Sequence, residues 1–245
     1  LTATDASGCT AIVIEELVSP TPISIVLASK VSPSCFGSSD GTIDVNISGG
    51  VQPYSYAWSG GRTGEDLTDA ISGTYTLTVR DNRNCSSAAS FELLDPKAIT
   101  VTTLMERSPR CGAATDGVVL VSATGGTGAL TYTWYRGSSP VGVGQALVNA
   151  GSGNYRLDVK DVNGCTSTKF YTLTSPEALV LNVVSTAPSC FGGSDGSTVS
   201  TVSGGKLPYT YRWNTNSTAS MLTGLSSGGY SLTVTDANAC STTGS

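Results

Sequence analysis

The sequence predicts an all-β chain of tandem sandwich repeats, and three observations carry that prediction. Hydrophobic residues make up 39% of the 245 residues but fall in short alternating runs. Thr, Ser, Val and Gly dominate, and long helix-forming Leu/Glu/Lys/Ala stretches are absent. The same text returns at a period of about 75 to 80 residues.

Aligning Cys35, Cys111 and Cys190 makes the period explicit. An Asp-Gly follows each cysteine (Asp40-Gly41, Asp116-Gly117, Asp195-Gly196), then a Gly-Gly (Gly49-Gly50, Gly125-Gly126, Gly204-Gly205). An aromatic row comes next and ends at Trp58, Trp134 and Trp213. The second half of each unit reads "GTYTLTVRDNRNC", "GNYRLDVKDVNGC" or "GYSLTVTDANAC", ending at Cys85, Cys165 and Cys240. "LTATDASGC", ending at Cys9, is that segment without its beginning, and proline joints follow at Pro20, Pro96 and Pro176. The expected organisation is therefore a tail of a preceding repeat at 1–20 and repeat units at 21–97, 98–177 and 178–245. The third unit is expected to lack its final strand. Leu1 opens the chain without an initiator Met or signal peptide, so the sequence reads as a piece of a larger protein.

The strands follow from alternation. Ile43, Val45 and Ile47 alternate with Thr42, Asp44 and Asn46, the period of two expected when one sheet face is buried. Val119, Val121 and Ala123 repeat this, whereas the third unit carries Thr198, Ser200 and Val202 there with Val199 on the other face. A register slip is expected at that strand. Tyr75, Leu77 and Val79 form a second inward row, matched by Tyr155, Leu157, Val159 and by Tyr230, Leu232, Val234. About six or seven short strands per unit, separated by Gly, Asn, Asp and Ser turns, suit an immunoglobulin-like sandwich.

Composition removes several functional classes. A net charge of −5 and the absence of a basic patch speak against nucleic acid as a partner. No stretch approaches the ~20 apolar residues of a membrane-spanning helix. Histidine is absent, which removes the commonest general base and every Ser-His or Cys-His nucleophile pair. No paired carboxylates or phosphate-cradling loop stand out, so neither catalytic residues nor cofactor or metal ligands are expected.

The strings C-F-G-x-S-D-G, S-G-G-x-x-P-Y-x-Y-x-W and G-x-Y-x-L-x-V-x-D-x-N-x-C together resemble the SprB-type repeat of large surface proteins of gliding Bacteroidetes. The similarity covers nearly the whole chain, three times over. The second unit departs from it, with "CGAATDG" after its strand and Ala129 where the others carry Pro53 and Pro208. The resemblance implies export across the outer membrane by the route these bacteria use for adhesins, type IX secretion. It also implies an extracellular stalk or filament segment serving gliding or attachment.

Seven cysteines without histidine or C-x-x-C read as structural disulfides of an oxidising compartment. Within-unit pairing joins Cys35–Cys85, Cys111–Cys165 and Cys190–Cys240. Pairing across the joints gives Cys9–Cys35, Cys85–Cys111 and Cys165–Cys190 and stays open. An even number of strands between the two turns would bring them to one end of a sandwich, which favours the within-unit scheme. Closing such a loop of about 50 residues would stabilise a unit by roughly 4 kcal/mol.

Two patterns imitate ligand sites. The row Tyr54, Tyr56, Trp58 offers faces for a sugar, but a row at period two that reappears as Leu130, Tyr132, Trp134 fits a core better. The Asp-Gly turns offer one carboxylate per loop, thin for calcium and adequate for turn chemistry. Recognition of a polysaccharide, the alternative to a stalk, points to the second unit, whose "WYRGSSPVGVGQ" adds Tyr135, Arg136 and a longer loop. A third reading is an accessory region of a secreted hydrolase. Expected partners are the neighbouring repeats of the same polypeptide, and residues 11–19 suggest strand exchange with another copy.

Overall fold

The computed structural model describes all 245 residues as strands and turns, with no helix. The chain divides into two compact units, Leu1–Lys97 and Ala98–Ser245.

In the first, β1 (Thr2–Thr4) and β2 (Thr10–Ile12) pair as an antiparallel hairpin. The sandwich after them runs β3 (Ser24–Val31), β4 (Gly41–Ser48), β5 (Ser55–Trp58), β6 (Leu67–Ala70), β7 (Gly73–Arg80) and β8 (Ser86–Leu93). One sheet has the order β3-β4-β6 and the other β5-β7-β8. This is the two-sheet arrangement of an immunoglobulin-like sandwich.

The second compact unit repeats that plan twice. Its first sandwich comprises β9 (Thr100–Arg107), β10 (Gly117–Thr124), β11 (Thr131–Arg136), β12 (Ser139–Val143), β13 (Ala146–Ala150), β14 (Gly153–Lys160) and β15 (Thr166–Leu173). The sheets are β9-β10-β13 and β12-β11-β14-β15, so β12 is an added strand. The last sandwich comprises β16 (Val180–Thr186), β17 (Gly196–Ser203), β18 (Thr210–Trp213), β19 (Met221–Leu225), β20 (Leu232–Thr235) and β21 (Ser241–Gly244), in sheets β16-β17-β19 and β18-β20-β21.

The alternating rows face inward as their period demands. Ile43, Leu77, Val79, Val119, Val121, Leu157, Val159, Leu232 and Val234 have no exposure. Each fully buried Leu or Val contributes roughly 1.5–3 kcal/mol. Trp58, Trp134 and Trp213 fill the sandwich centres, and each indole N–H donates to a backbone carbonyl: Gly64 at 3.0 Å, Gly144 at 3.0 Å and Ala219 at 2.8 Å. Tyr75, Tyr155 and Tyr230 donate to the carbonyl four residues upstream (Ile71, Gly151, Ser226) at 3.0, 2.9 and 3.2 Å. That bond fixes the corner before β7, β14 and β20, as in other immunoglobulin-like sandwiches.

Two expectations about the third sandwich fail. β16 and β17 pair in unbroken register, and Thr198, 1% exposed, takes the inward position while Val199 stays outside. The buried hydroxyl is tolerated because Ser185 Oγ lies 3.1 Å from it. Register shifts occur between β3 and β4 and between β9 and β10, and β17 shifts only against β19, at Gly196/Ser197, as β4 does against β6 and β10 against β13. The final strand also exists: β21 pairs along β20 from Thr235↔Ser241 to Leu232↔Gly244. It is four residues long where β8 and β15 have eight. Leu93 and Leu173 lie at the far ends of β8 and β15. An open cavity of about 540 Å³ lies at the matching end of the third sandwich, lined by Pro188, Gly196, Leu225, Tyr230 and Ser245 among others.

Candidate functional site

Each sandwich presents two cysteine-bearing turns. The entry turn joins its first two strands and holds Cys35, Cys111 or Cys190; the exit turn joins its last two and holds Cys85, Cys165 or Cys240.

The entry turns are closed by Asp40, Asp116 and Asp195. Their Oδ1 atoms accept the N–H of Ser34, Arg110 and Ser189 at 2.9, 3.0 and 2.9 Å. Hydroxyls of Ser34 and Ser38 hold the Asp40 carboxyl well below the usual carboxylate range, the Arg110 guanidinium does so for Asp116, and Ser189 for Asp195.

The exit turns are built on Asp81, Asp161 and Asp236, each 5% exposed. Oδ1 accepts two N–H bonds from its own turn, at the second and fourth residues onward: Arg83 and Cys85, Asn163 and Cys165, Asn238 and Cys240, all at 2.8–3.0 Å. Oδ2 accepts the N–H of Val51, Thr127 or Lys206 at 3.0, 2.8 and 2.9 Å, tying the turn to the Gly-Gly loop. Burial pushes Asp81 and Asp236 up and the N–H bonds outweigh it; for Asp161 the Thr127 N–H leads, so all three are displaced downward. Asp5 accepts the Ser7 and Cys9 N–H groups at 2.9 Å, so the hairpin of β1 and β2 carries the same exit turn. These carboxylates are occupied by backbone donors, which supports the turn reading of the repeated aspartates.

Cysteine pairing follows neither expected scheme. Cys111 is bonded to Cys240, with Cα atoms 5.7 Å apart and 129 positions between them in sequence. An entry turn is thus joined to the exit turn of the following sandwich. Cys35 and Cys165 are also disulfide-bonded, whereas Cys9, Cys85 and Cys190 are free and exposed. The within-unit bonds Cys35–Cys85, Cys111–Cys165 and Cys190–Cys240 are therefore corrected. The reason is strand direction. In the second unit Gly117 pairs with Ala150 beside the entry turn, while Thr131 pairs with Lys160 beside the exit turn, so the two turns lie at opposite ends. β12 raises the intervening strands to five, an odd number. In the first unit β5 and β6 both run toward the entry turn, because the short stretch between them crosses between sheets without forming a strand. Turns at opposite ends of eight-residue strands, which span about 27 Å, are beyond the ~7 Å reach of a disulfide.

The junction around Cys111 and Cys240 is closely fitted. Asn238 Nδ2 donates to the Arg110 carbonyl at 2.8 Å, and Cys240 Sγ lies 3.6 Å from the same oxygen. A Cβ on Gly112 would come within 2.5 Å of the Ala178 backbone, at the joint between these two sandwiches. Only glycine fits there.

The aromatic rows are core faces. Tyr54 donates to the Gly49 carbonyl and Tyr209 to Gly204 at 2.5 Å, so the hydroxyls close the Gly-Gly loop. Tyr135 and Arg136 sit at the end of β11. The Arg156 guanidinium lies 4.3 Å from the Tyr135 ring centroid, and Arg136 donates to the Ser152 carbonyl at 2.7 Å beside the Tyr155 ring. They do not converge on one pocket: Tyr135 belongs to the outer sheet face with Arg156 and exposed Phe170, and Arg136 braces a corner. Sequence reasoning missed Phe170, whose only signal is a large apolar residue on the polar parity of β15.

Three stretches of the chain, residues 27–63, 107–139 and 182–218, match the SprB repeat model. Each contains an entry turn, the second strand of its unit and the core tryptophan. No curated protein matches the chain. Among solved structures it is similar to three N-terminal domains of the highly immunogenic outer capsid protein of bacteriophage RB49, at 15% identity over 86% of this chain and 90% of that one, TM-score 0.40. It is similar to the eight N-terminal Ig domains of Down Syndrome Cell Adhesion Molecule at 12% identity, over 90% of this chain and 36% of that one, TM-score 0.48. A three-Ig segment of titin matches at 14% identity over 91% and 96%, TM-score 0.42. Three SprB repeat matches, one in each immunoglobulin-like β-sandwich, make the chain consistent with a tandem SprB-type repeat array.

Proposed function

We propose that the chain is a structural stalk segment of a large secreted cell-surface adhesin, exported by type IX secretion and serving gliding or attachment. It contributes reach and mechanical resilience, not catalysis. The carrying observation is the tandem SprB array in which one sandwich is covalently joined to the next through Cys111–Cys240. A bond between turns at facing ends limits how far two consecutive sandwiches separate under load. Units bounded at 21–97, 98–177 and 178–245 would act as successive links.

Antibodies to the chain should label intact cells of the bacterium that encodes it, and in-frame deletion of the array should impair spreading or attachment. Labelling only after permeabilisation would overturn the reading.

A second reading, polysaccharide recognition by the second unit, is favoured by one observation. Tyr135, with Arg156 stacked on it, and Phe170 form a row across three strands of an outward face. Rings and a guanidinium in that arrangement suit a glycan. A glycan array probed with the full chain tests it: binding lost on Phe170→Ser and Tyr135→Ser supports recognition, and no binding leaves the stalk alone.

A further inference from the structure

We propose that Cys190, like Cys111, bonds the exit-turn cysteine of the unit after it, so that Cys190 is a docking point for the exit turn of a following repeat. By the same rule Cys85 receives the entry turn of a preceding repeat. This rests on the repeat array alone and not on the adhesin reading.

The argument is internal to the molecule. Cys190 stands in the same turn as Cys111, five residues before Asp195 as Cys111 is before Asp116, and both aspartates accept the N–H one residue before their cysteine. Cys111 is bonded to the next exit turn, whereas Cys190 is exposed and unbonded. Cys85 likewise matches Cys240: both close an Asp-based turn in which the carboxylate accepts the cysteine N–H, at 2.9 and 2.8 Å. The surface beside Cys190 is also uncovered. Phe191, the residue after it, is fully exposed, more so than Phe36 after bonded Cys35, which is 64% exposed. Cys190 is followed by Phe191 where Cys111 is followed by Gly112, so a following repeat meets a ring at this joint in place of a bare backbone.

The partner is defined by chemistry: an exit turn with an aspartate four residues before the cysteine and a donor two residues before it. Asn238 donates to the Arg110 carbonyl; its equivalent toward Ser189 would be an asparagine, or Arg83 where the first unit follows. Bond formation uses a disulfide oxidant such as glutathione disulfide. The Cys190 thiolate attacks it and expels one glutathione thiolate. The exit-turn thiolate then attacks the mixed disulfide at Cys190 Sγ and expels the second. Two protein thiols lose two protons and two electrons, and the oxidant becomes two thiols.

The test extends the chain in register: residues 1–240 are followed without interruption by residues 166–245. The third unit then gains the last strand and joint of the second, and another third unit follows. Alkylation before non-reducing peptide mapping should find the first Cys190 joined to the second Cys240, with loss of the alkylation it shows in the original chain. A first Cys190 that stays alkylated beside an intact Cys111–Cys240 bond would overturn the proposal, as would its bonding within its own unit. A second measurement uses the original chain with Cys9→Ser in a glutathione redox buffer. Covalent head-to-tail chains linked Cys190–Cys85, lost on Cys85→Ser, support the rule; Cys190–Cys190 dimers or no linkage refute it.

Discussion

Pulling on the chain from its two ends gives the Cys111–Cys240 bond a length signature. Consider a chain with Cys35→Ser and Cys165→Ser and with Cys9, Cys85 and Cys190 alkylated, so that this bond alone remains. The bonded residues are 129 positions apart, and an extended chain covers about 3.5 Å per residue, so the bond withholds about 450 Å of contour. Both sandwiches of the Ala98–Ser245 unit have their strands from β10 to β20 inside the closed loop. Single-molecule force spectroscopy should therefore record a total contour about 450 Å shorter before reduction than after. Equal lengths in the two states would refute the bond.

Three further outcomes are expected. Trp134→Ala empties the largest buried side chain of the second sandwich and strands the Gly144 carbonyl, costing about 3–5 kcal/mol, measured by urea unfolding of the full chain. Gly49→Ala places a Cβ 2.0 Å from the Pro22 carbonyl at φ +75 and should cost more than Gly60→Ala, which keeps a similar φ of +88 but meets nothing within 4 Å and should cost about 1–2 kcal/mol; thermal melts compare the pair. The carboxyls of Asp40, Asp81, Asp116, Asp161, Asp195 and Asp236 are all displaced downward from the ordinary 3.8. Their contribution is fully present above that ordinary value and is lost as pH falls through the lowered folded values. The melting temperature should therefore hold at neutral pH and fall below about pH 4, and Asp161→Asn should lower it at pH 7 but make little difference at the acid end.

Much of this architecture is written in local periodicity. The inward rows of β4, β7, β10 and β14 are visible as alternation because a strand's side-chain period is two whatever surrounds it. The core tryptophans and the three corner tyrosines recur with the unit for the same reason. Asp81, Asp161 and Asp236 are legible as turn residues, although their second oxygen reaches a loop about 30 positions earlier in sequence, a tie that no local pattern reveals. Thr198 shows the limit from the other side: an alternation weakened by a polar residue suggests a slipped register, but a single partner hydroxyl from Ser185 is enough to keep the register and bury the threonine.

The sequence by itself determined that the chain is all-β, that it repeats, and which residues line each core, since these depend on patterns within a few residues. The tertiary structure alone decided which cysteines meet. That choice depends on strand direction: with β12 after Trp134, and with a strandless crossing between sheets after Trp58, the two turns of one unit come to opposite ends. It depended equally on a contact between consecutive sandwiches, where Gly112 leaves room for the Ala178 backbone and Asn238 reaches the Arg110 carbonyl. Cys111 and Cys190 hold the same place in equivalent turns, and what faces each one separates bonded Cys111 from free Cys190.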